Sequence, residues 1–244
     1  EGDLVTNTEG MLPEASLAFL DELLNANSAI LNSLLTVLNE RVFRRGRESR
    51  RLPLLMVVGA SNHLPEDDAL RALFDRFLLR VHCDNVPADH LGQVLEAGWK
   101  LDLALRQTSV SSGAFSIEDV RRLSGGVPQV NLEPVRRPMI DLLQRLRHAG
   151  LPISDRRAVK LQRPVAASAL LAGRLHAQVT DLWVFRYIWE TFEQQEVLAA
   201  VVKDLLDRAA DDTQVHPRAR GADRPDPEVL ARELAHIGDR VAAG

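Results

Sequence analysis

The chain has 244 residues, 45 % of them hydrophobic, and a net charge of −4. That is enough apolar content for one or two packed domains, and the overall charge argues neither for nor against a nucleic-acid partner. A single cysteine, Cys83, excludes a disulfide framework and fits a reducing, cytoplasmic setting; no apolar stretch approaches the ~20 residues needed to span a bilayer, and no signal peptide is visible.

In chain order, the apolar run Leu17–Leu20 reads as a buried strand of a parallel sheet. It delivers Asp21 and Glu22 at its carboxyl end, where ligands bind in open α/β sheets. Carboxylates in that place need a reason, and a magnesium ion beside a nucleotide phosphate is the commonest one. A helix capped by Asn27 follows, with Ile30, Leu31, Leu34, Leu35 and Leu38 at 3-and-4 spacing. Residues 40–53 predict a β-hairpin turning near Gly46, and Leu54–Gly59 a second buried strand ending in Ala60-Ser61-Asn62. Strand, crossover and strand give a parallel pair. A helix is expected over about 66–78 and a short strand over 79–83. From Pro87 the pattern is helical only, with segments at 88–99, 116–123, 132–149, 154–173 and 180–207. Ser116 and Ser154 are the expected caps, and Gly125-Gly126 and Gly150 mark the joints. Residues 208–226 read as a linker. A last helix follows from Asp226-Pro227 through Leu230, Leu234, Ile237 and Val241.

The order of these parts resembles the carboxyl-terminal two-thirds of an AAA+ ATPase, specifically the MoxR family and its RavA-like branch. The resemblance rests on residues 8–46 (TEGMLPEASLAFLDELLNANSAILNSLLTVLNERVFRRG), 57–66 (VVGASNHLPE), 72–80 (ALFDRFLLR) and 154–157 (SDRR). It implies an α/β architecture: the C-terminal portion of a P-loop parallel-sheet domain over 1–86, an all-helical lid over 87–207, and a linker with a terminal helix over 208–244. It also implies ATP and Mg²⁺ as cofactors, a ring, in all expectation a hexamer, and a partner bearing a von Willebrand factor A domain. Asp21 and Glu22 match the Walker B pair: the aspartate for magnesium through its water shell, the glutamate for the attacking water. Asn62 matches sensor 1, Arg76 the arginine finger that reaches the next subunit, and Arg156 the sensor 2 arginine that contacts its own subunit's nucleotide. Arg157 is the fallback for Arg156, and Arg71 and Arg80 flank Arg76. An exposed Arg76 paired with Asp75 or Asp67 is the plain alternative to the finger. Two adjacent arginines opening a helix oppose its dipole, a tension that an anionic ligand relieves.

One expected part is missing. None of the 14 glycines is followed by lysine, so the phosphate loop G-x-x-x-x-G-K-[ST] does not occur. With the chain opening at Glu1 in a motif-rich region, the expectation is a fragment that does not hydrolyse ATP by itself. The hairpin carries arginines 41, 44, 45, 47, 50 and 51 against Glu48. The family's inserted hairpin points toward the ring's pore, where such charge grips an acidic polypeptide or a nucleic-acid backbone; a merely solvated hairpin is equally compatible. Two further function classes stay open, a nucleic-acid motor and a nucleotide-free scaffold. The histidines form no metal-ligand spacing. His82 and Cys83 are expected on opposite faces of their strand. Trp183, Phe185, Tyr187, Trp189 and Phe192 read as lid core rather than a ligand cage.

Overall fold

The computed structural model describes residues 8–25, 28–45, 48–65, 68–106, 116–209 and 216–219. The expected Asn27 cap, the turn at Gly46, Asp67 and the terminal helix lie outside those residues. Strand β1 (Leu17–Leu20) pairs in parallel with β4 (Met56–Gly59), with Leu17 opposite Met56 and Leu20 opposite Gly59. Between them come α1 (Ser28–Glu40) and an antiparallel hairpin, β2 (Val42–Arg45) with β3 (Glu48–Arg51).

The sheet is not buried on both faces, as its uniform hydrophobicity predicts. Ala18 and Val57 pack with Val37, Leu52 and Leu54, and Leu20 packs with Leu23, Leu24, Leu70 and Leu73. The alternate side chains Leu17, Phe19, Met56 and Val58 are exposed, Phe19 at 66 %. Successive strand residues point to opposite faces, and among the described residues only one face of this two-stranded sheet is covered. β4 also starts later than expected: Leu54 is buried ahead of it, while its own alternate residues face outward.

Helix α2 (Asp68–Phe74) ends short of the expected 78. A tight turn follows, with Arg76 N–H donating to Leu73 O at 2.9 Å and Phe77 N–H to Phe74 O at 3.1 Å. Arg76 therefore sits in a turn and not on a helix. The expected strand at 79–83 is absent: residues 77–87 have no regular structure. The reason is visible at Arg80, whose N–H donates to Tyr187 O at 2.7 Å instead of to a sheet neighbour. His82 and Cys83 are thus on no strand, and the His82 ring lies 4.6 Å from Phe192.

The remainder is helical: α3 (Leu91–Arg106), α4 (Ile117–Gly126), α5 (Glu133–His148), α6 (Asp155–Leu171) and α7 (Glu193–Arg208). Ser116 caps α4 in a reciprocal box with Asp119, and Ser154 caps α6 by accepting from Arg157 N–H at 3.2 Å. Gly125 and Gly126 continue α4 instead of ending it, and residues 127–129 add a 3₁₀ turn. Gly150 ends α5 in the left-handed region (φ 86°). Its N–H donates to Arg147 O, and Leu151 N–H reaches back to Leu146 O at 3.0 Å. Gly173 (φ 75°) ends α6 in the same way. Val135, Met139, Leu142 and Leu146 of α5 meet Leu161 and Val165 of α6 and Leu198, Val202 and Leu206 of α7 in one core, as helical spacing requires. Phe185 and Trp189 lie in that core, so the lid aromatics are packing, although Phe192 remains exposed.

The single helix expected over 180–207 divides. Val179–Tyr187 is 3₁₀, residues 188–192 break, and α7 begins at Glu193. The first part is rich in β-branched and aromatic residues of modest helix propensity, and the carbonyl groups of Ile188 and Trp189 bond to arginine side chains instead of a helical ladder. Helix α3 packs little: Leu91, Val94, Leu95 and Trp99 are all exposed. Helix α4 reaches the sheet region through Arg121, which donates to Ser16 Oγ at 2.7 Å.

Candidate active site

Parallel pairing of β1 with β4 puts the carboxyl ends of both strands at one edge. Ala60 N–H donates to Leu20 O at 2.9 Å, and Leu23 N–H donates to Ala60 O at 3.0 Å. Asp21-Glu22 and Ser61-Asn62-His63 are therefore neighbours, all of them exposed. Glu22 adopts φ 47°, a left-handed conformation that non-glycine residues seldom take. Its N–H donates to Asp21 Oδ1 at 3.0 Å, and Asn25 Nδ2 donates to Glu22 Oε2 at 3.2 Å. The other end of the same amide, Asn25 Oδ1, lies 3.0 Å from His63 Nε2, and His63 Nδ1 lies 3.1 Å from Leu64 O. With Asn25 oriented to donate to the carboxylate, both imidazole nitrogens face acceptors. These contacts run as one chain, Leu64–His63–Asn25–Glu22. Ser61 Oγ closes the turn by donating to His63 O at 3.0 Å.

Asn25 and His63 were not singled out from the sequence. Each is an ordinary polar residue beside a motif, and only the pairing of two strand ends 38 positions apart brings them together.

The cationic members lie on other elements. Arg76 is half-buried, its Nε buried without an acceptor among the described residues. Asp75 is not its ion-pair partner; that carboxylate stands 3.8 Å from Arg80 instead. Arg156 and Arg157, adjacent in sequence, have opposite surroundings. Arg156 is exposed at the start of α6. Arg157 is buried, donating through Nη2 to Ile188 O at 2.7 Å and through Nη1 to Glu190. The tension expected of two arginines at a helix N-terminus is thus relieved, for Arg157, by a protein carboxylate, although burial still draws its pKa down. Lys160, one turn along, is half-buried. Its pKa is lowered by burial and then by the charges of Arg156 and Arg76, each of which lies within electrostatic reach of it. The structure brings Asp21, Glu22 and the Asn62 turn together at one sheet edge, and sets Arg76 and Arg156 each within electrostatic reach of Lys160.

Of the hairpin arginines, Arg41 donates to Leu54 O at 2.9 Å and Arg50 pairs with Glu14 at 3.3 Å. Among the described residues no cluster of three or more His, Cys, Asp or Glu could hold a metal, and no helix is long and apolar enough to cross a membrane.

Comparison with known families and structures bears on these features. Residues 1–125 match the MoxR domain found in MoxR-vWA-beta-propeller ternary systems, and residues 135–202 match an AAA lid domain. The chain is 33 % identical over 209 residues to the uncharacterized protein MJ0079 of Methanocaldococcus jannaschii, an overlap of 85 % of this chain and 53 % of that one. It is 34 % identical over 186 residues to MJ0812 of the same organism, covering 76 % and 48 %. The chain spans about half the length of these relatives. A solved structure of a proposed ATPase from Cytophaga hutchinsonii superposes with a TM-score of 0.54 at 17 % identity, over 80 % of this chain and 66 % of that one, a likeness of fold alone. The fold is that of the C-terminal part of an AAA+ α/β domain followed by a helical lid. The chain belongs to the MoxR-type AAA+ family, in the group described from MoxR-vWA-beta-propeller systems.

Proposed function

We propose that the protein works as an ATP-hydrolysing MoxR-type ring motor, a hexamer with a chaperone-like remodelling role and a von Willebrand factor A partner. The observation that carries the reading is the parallel β1–β4 pair, which sets Asp21-Glu22 beside Asn62 and links the two strand ends through Asn25. The partner is supported by the family's description, and the RavA-like features by residues 8–46. The exposed apolar face of Leu17, Phe19, Met56 and Val58 fits a chain that carries only part of its α/β domain, whose phosphate loop lies elsewhere. On that reading this polypeptide alone does not turn over ATP.

The donor set fits Mg²⁺ with ATP. Two exposed carboxylates stand among amide, hydroxyl and imidazole groups, which suits a hard cation that keeps most of its waters. Bound Mg-ATP supplies the phosphoryl group and its leaving group. On the protein side, Asp21 would hold the metal through its water shell, and Glu22, steadied by Asn25, would take the proton of the attacking water. The Asn62 amide donates to a phosphate oxygen without adding charge. Arg76 stabilises negative charge on a phosphoryl group across the subunit boundary, a role worth on the order of 10³–10⁵ in rate in related systems. Arg156, exposed at the start of α6, contacts the nucleotide of its own subunit, as its match to the sensor 2 arginine implies.

The test is ATP turnover by assembled protein carrying Glu22→Gln, expected to fall by at least 10²-fold for loss of a general base; unchanged turnover defeats the reading. Mixing Glu22→Gln with Arg76→Ala subunits restores activity if the arginine acts across the boundary, and the same mixture with Arg156→Ala decides its placement. The grip on a polypeptide or nucleic acid rests on Arg44, Arg45, Arg47 and Arg51, since Arg41 and Arg50 are engaged within the chain. Steeply salt-dependent DNA or RNA binding lost on changing Arg44, Arg45 and Arg47 to Ala selects the nucleic-acid motor.

A further inference from the structure

Between the turn after α2 and the lid runs a contact that the proposed chemistry leaves unused. Arg80 is 5 % exposed although it lies in the irregular stretch 77–87. Its guanidinium grips two elements at once. Nη1 donates to Ile188 O at 3.3 Å and to Trp189 O, while Nη2 donates to Phe74 O at 3.1 Å with the Asp75 carboxylate 3.8 Å away. Its Cζ stands 4.0 Å above the Phe74 ring, and its backbone N–H holds Tyr187 O. Phe74 is the last residue of α2, two positions before Arg76. From the other side Arg157 donates to the same Ile188 O and to Glu190, whose N–H is in turn held by Gln194 Oε1 at 2.7 Å. The strap 187–190 is thus fixed on one side to the turn bearing Arg76 and on the other to the first turn of α6, which bears Arg156.

Burial carries a cost: desolvation draws the Arg80 pKa down to about 10. A buried cation is often replaceable by apolar packing without loss of stability. What an arginine adds is a rigid planar fork whose donors fix direction as well as distance. Shifting the strap against α2 breaks one prong or the other, so the two move as a unit.

We propose that Arg80 is a positioning residue for the reaction: it fastens the Arg76-bearing turn to the lid strap Tyr187–Glu190, so that the reach of Arg76 into the neighbouring subunit's site follows the position of its own lid. The inference rests on the reading of Arg76 as an arginine that serves the neighbour's nucleotide.

The experiment uses assembled, ATP-hydrolysing protein. Arg80→Ala is expected to lower kcat about 10²-fold, the effect of moving a catalytic group by roughly 1 Å, while KM and the affinity for a fluorescent ATP analogue stay within about twofold because the variant's own Asp21 and Glu22 are untouched. Wild-type kcat overturns the proposal. In mixed rings, Arg80→Ala with Glu22→Gln recovers activity, since the Glu22→Gln subunit donates a well-placed Arg76 to a site with an intact Glu22. Arg80→Ala with Arg76→Ala does not recover, because both are defective donors. The reverse pattern overturns the proposal, and a merely structural role gives no recovery in either mixture. Arg76→Ala mixed with Glu22→Gln is the control: no recovery there defeats the cross-subunit reading itself, separately from Arg80. Arg80→Lys guards against loss of folding. It keeps the charge and the packing over Phe74 but lacks the fork, so the same complementation pattern is expected, and wild-type turnover overturns the proposal.

Discussion

Replacing Asp181 by Ala tests how the lid is held together. Asp181 is fully buried, and all four of its hydrogen bonds are made: Oδ1 accepts from Ser168 Oγ at 2.7 Å and Arg174 Nη2 at 2.8 Å, and Oδ2 from Arg174 Nη1 at 2.9 Å and Gln178 N–H at 2.8 Å. Arg174 is aimed into this bond by the turn that ends α6, where Gly173 takes positive φ and Arg174 N–H returns to Ala169 O at 2.9 Å. Truncating the carboxylate takes its two oxygens away from a cation at 2 % exposure, which keeps the 2.9 Å bond from Nη1 to His176 O. Breaking one side of a buried ion pair costs about 3–5 kcal/mol. For a protein of this size that lowers Tm by roughly 6–20 °C. The melt is followed by circular dichroism and by tryptophan fluorescence, because Trp183 Nε1 donates to Ser168 Oγ at 2.9 Å and so reports on the same network. The double variant Arg174→Met with Asp181→Leu is expected to regain most of the loss, since it removes the buried cation along with its partner. If Asp181→Ala costs less than about 1 kcal/mol, the pair is worth no more than an exposed one and the argument from burial fails.

Gly59→Ala places a Cβ 2.8 Å from Leu23 Cδ2 and 3.2 Å from Phe77 Cζ; overpacking of this kind costs about 1–3 kcal/mol, read as a shift in the urea midpoint, and an unshifted midpoint shows that Leu23 yields freely. Asn25→Ala removes the amide that steadies Glu22, so kcat of the assembled ATPase should drop about tenfold, the low end for a misplaced catalytic group, with nucleotide affinity retained; an equal fall in Glu22→Gln and in the double variant over Asn25→Ala alone is expected, and full activity of Asn25→Ala removes the relay from the mechanism. His216 stacks 4.9 Å from Trp183 at an interplanar angle of 15°, and burial holds its imidazole below the ordinary 6.5. The unfolded chain then binds the proton at higher pH than the folded one, so this contact contributes fully above 6.5 and is lost as pH falls through the lowered folded value. A tryptophan emission change between about pH 7 and about pH 5 that is absent in His216→Phe is the expected result, and the same response in both proteins refutes it.

The sequence was most legible where pattern and geometry share a period. The helical stripe Val135, Met139, Leu142 and Leu146 and the caps Ser116 and Ser154 stand where 3.6-residue spacing and capping chemistry place them. Strand β1 is correctly bounded, yet its hydrophobicity misstates its burial, because exposure of Phe19 depends on what else covers the sheet and not on the strand itself. The errors at 79–83 and 180–192 share a cause. A run such as Leu79–Cys83 looks like a strand from its side chains, but its backbone bonds are decided by Arg80 meeting a segment more than a hundred positions away. The candidate site was legible as to place: Asp21, Glu22 and Asn62 stand past the ends of their strands, where the apolar runs end in the sequence, whereas Asn25 and His63 join them only through the carboxylate and carbonyl they touch.

The arginines show why residue type alone under-determines role. Arg156 and Arg157 differ by 100° around α6, which turns one toward solvent and the other toward the strap. Arg76 and Arg80 differ in a comparable way across the turn after α2, one half-buried and the other sealed against Phe74. In each pair a ligand-facing candidate is carried on the same short segment as an arginine whose hydrogen bonds are used internally. Both internal members converge on the carbonyl of Ile188. A single carbonyl accepting from two guanidinium groups holds the two segments in register, at a place where any apolar substitute for either arginine leaves that oxygen with half its bonds and loosens the angle between them. The placement of the two candidate residues, Arg76 and Arg156, is therefore tied to the internal pair. It follows that Arg157→Met should disturb the action of Arg76 as well as that of Arg156, while an exposed change such as Arg163→Ala on the same helix should disturb neither; equal turnover in both variants would break the link between the strap and the site.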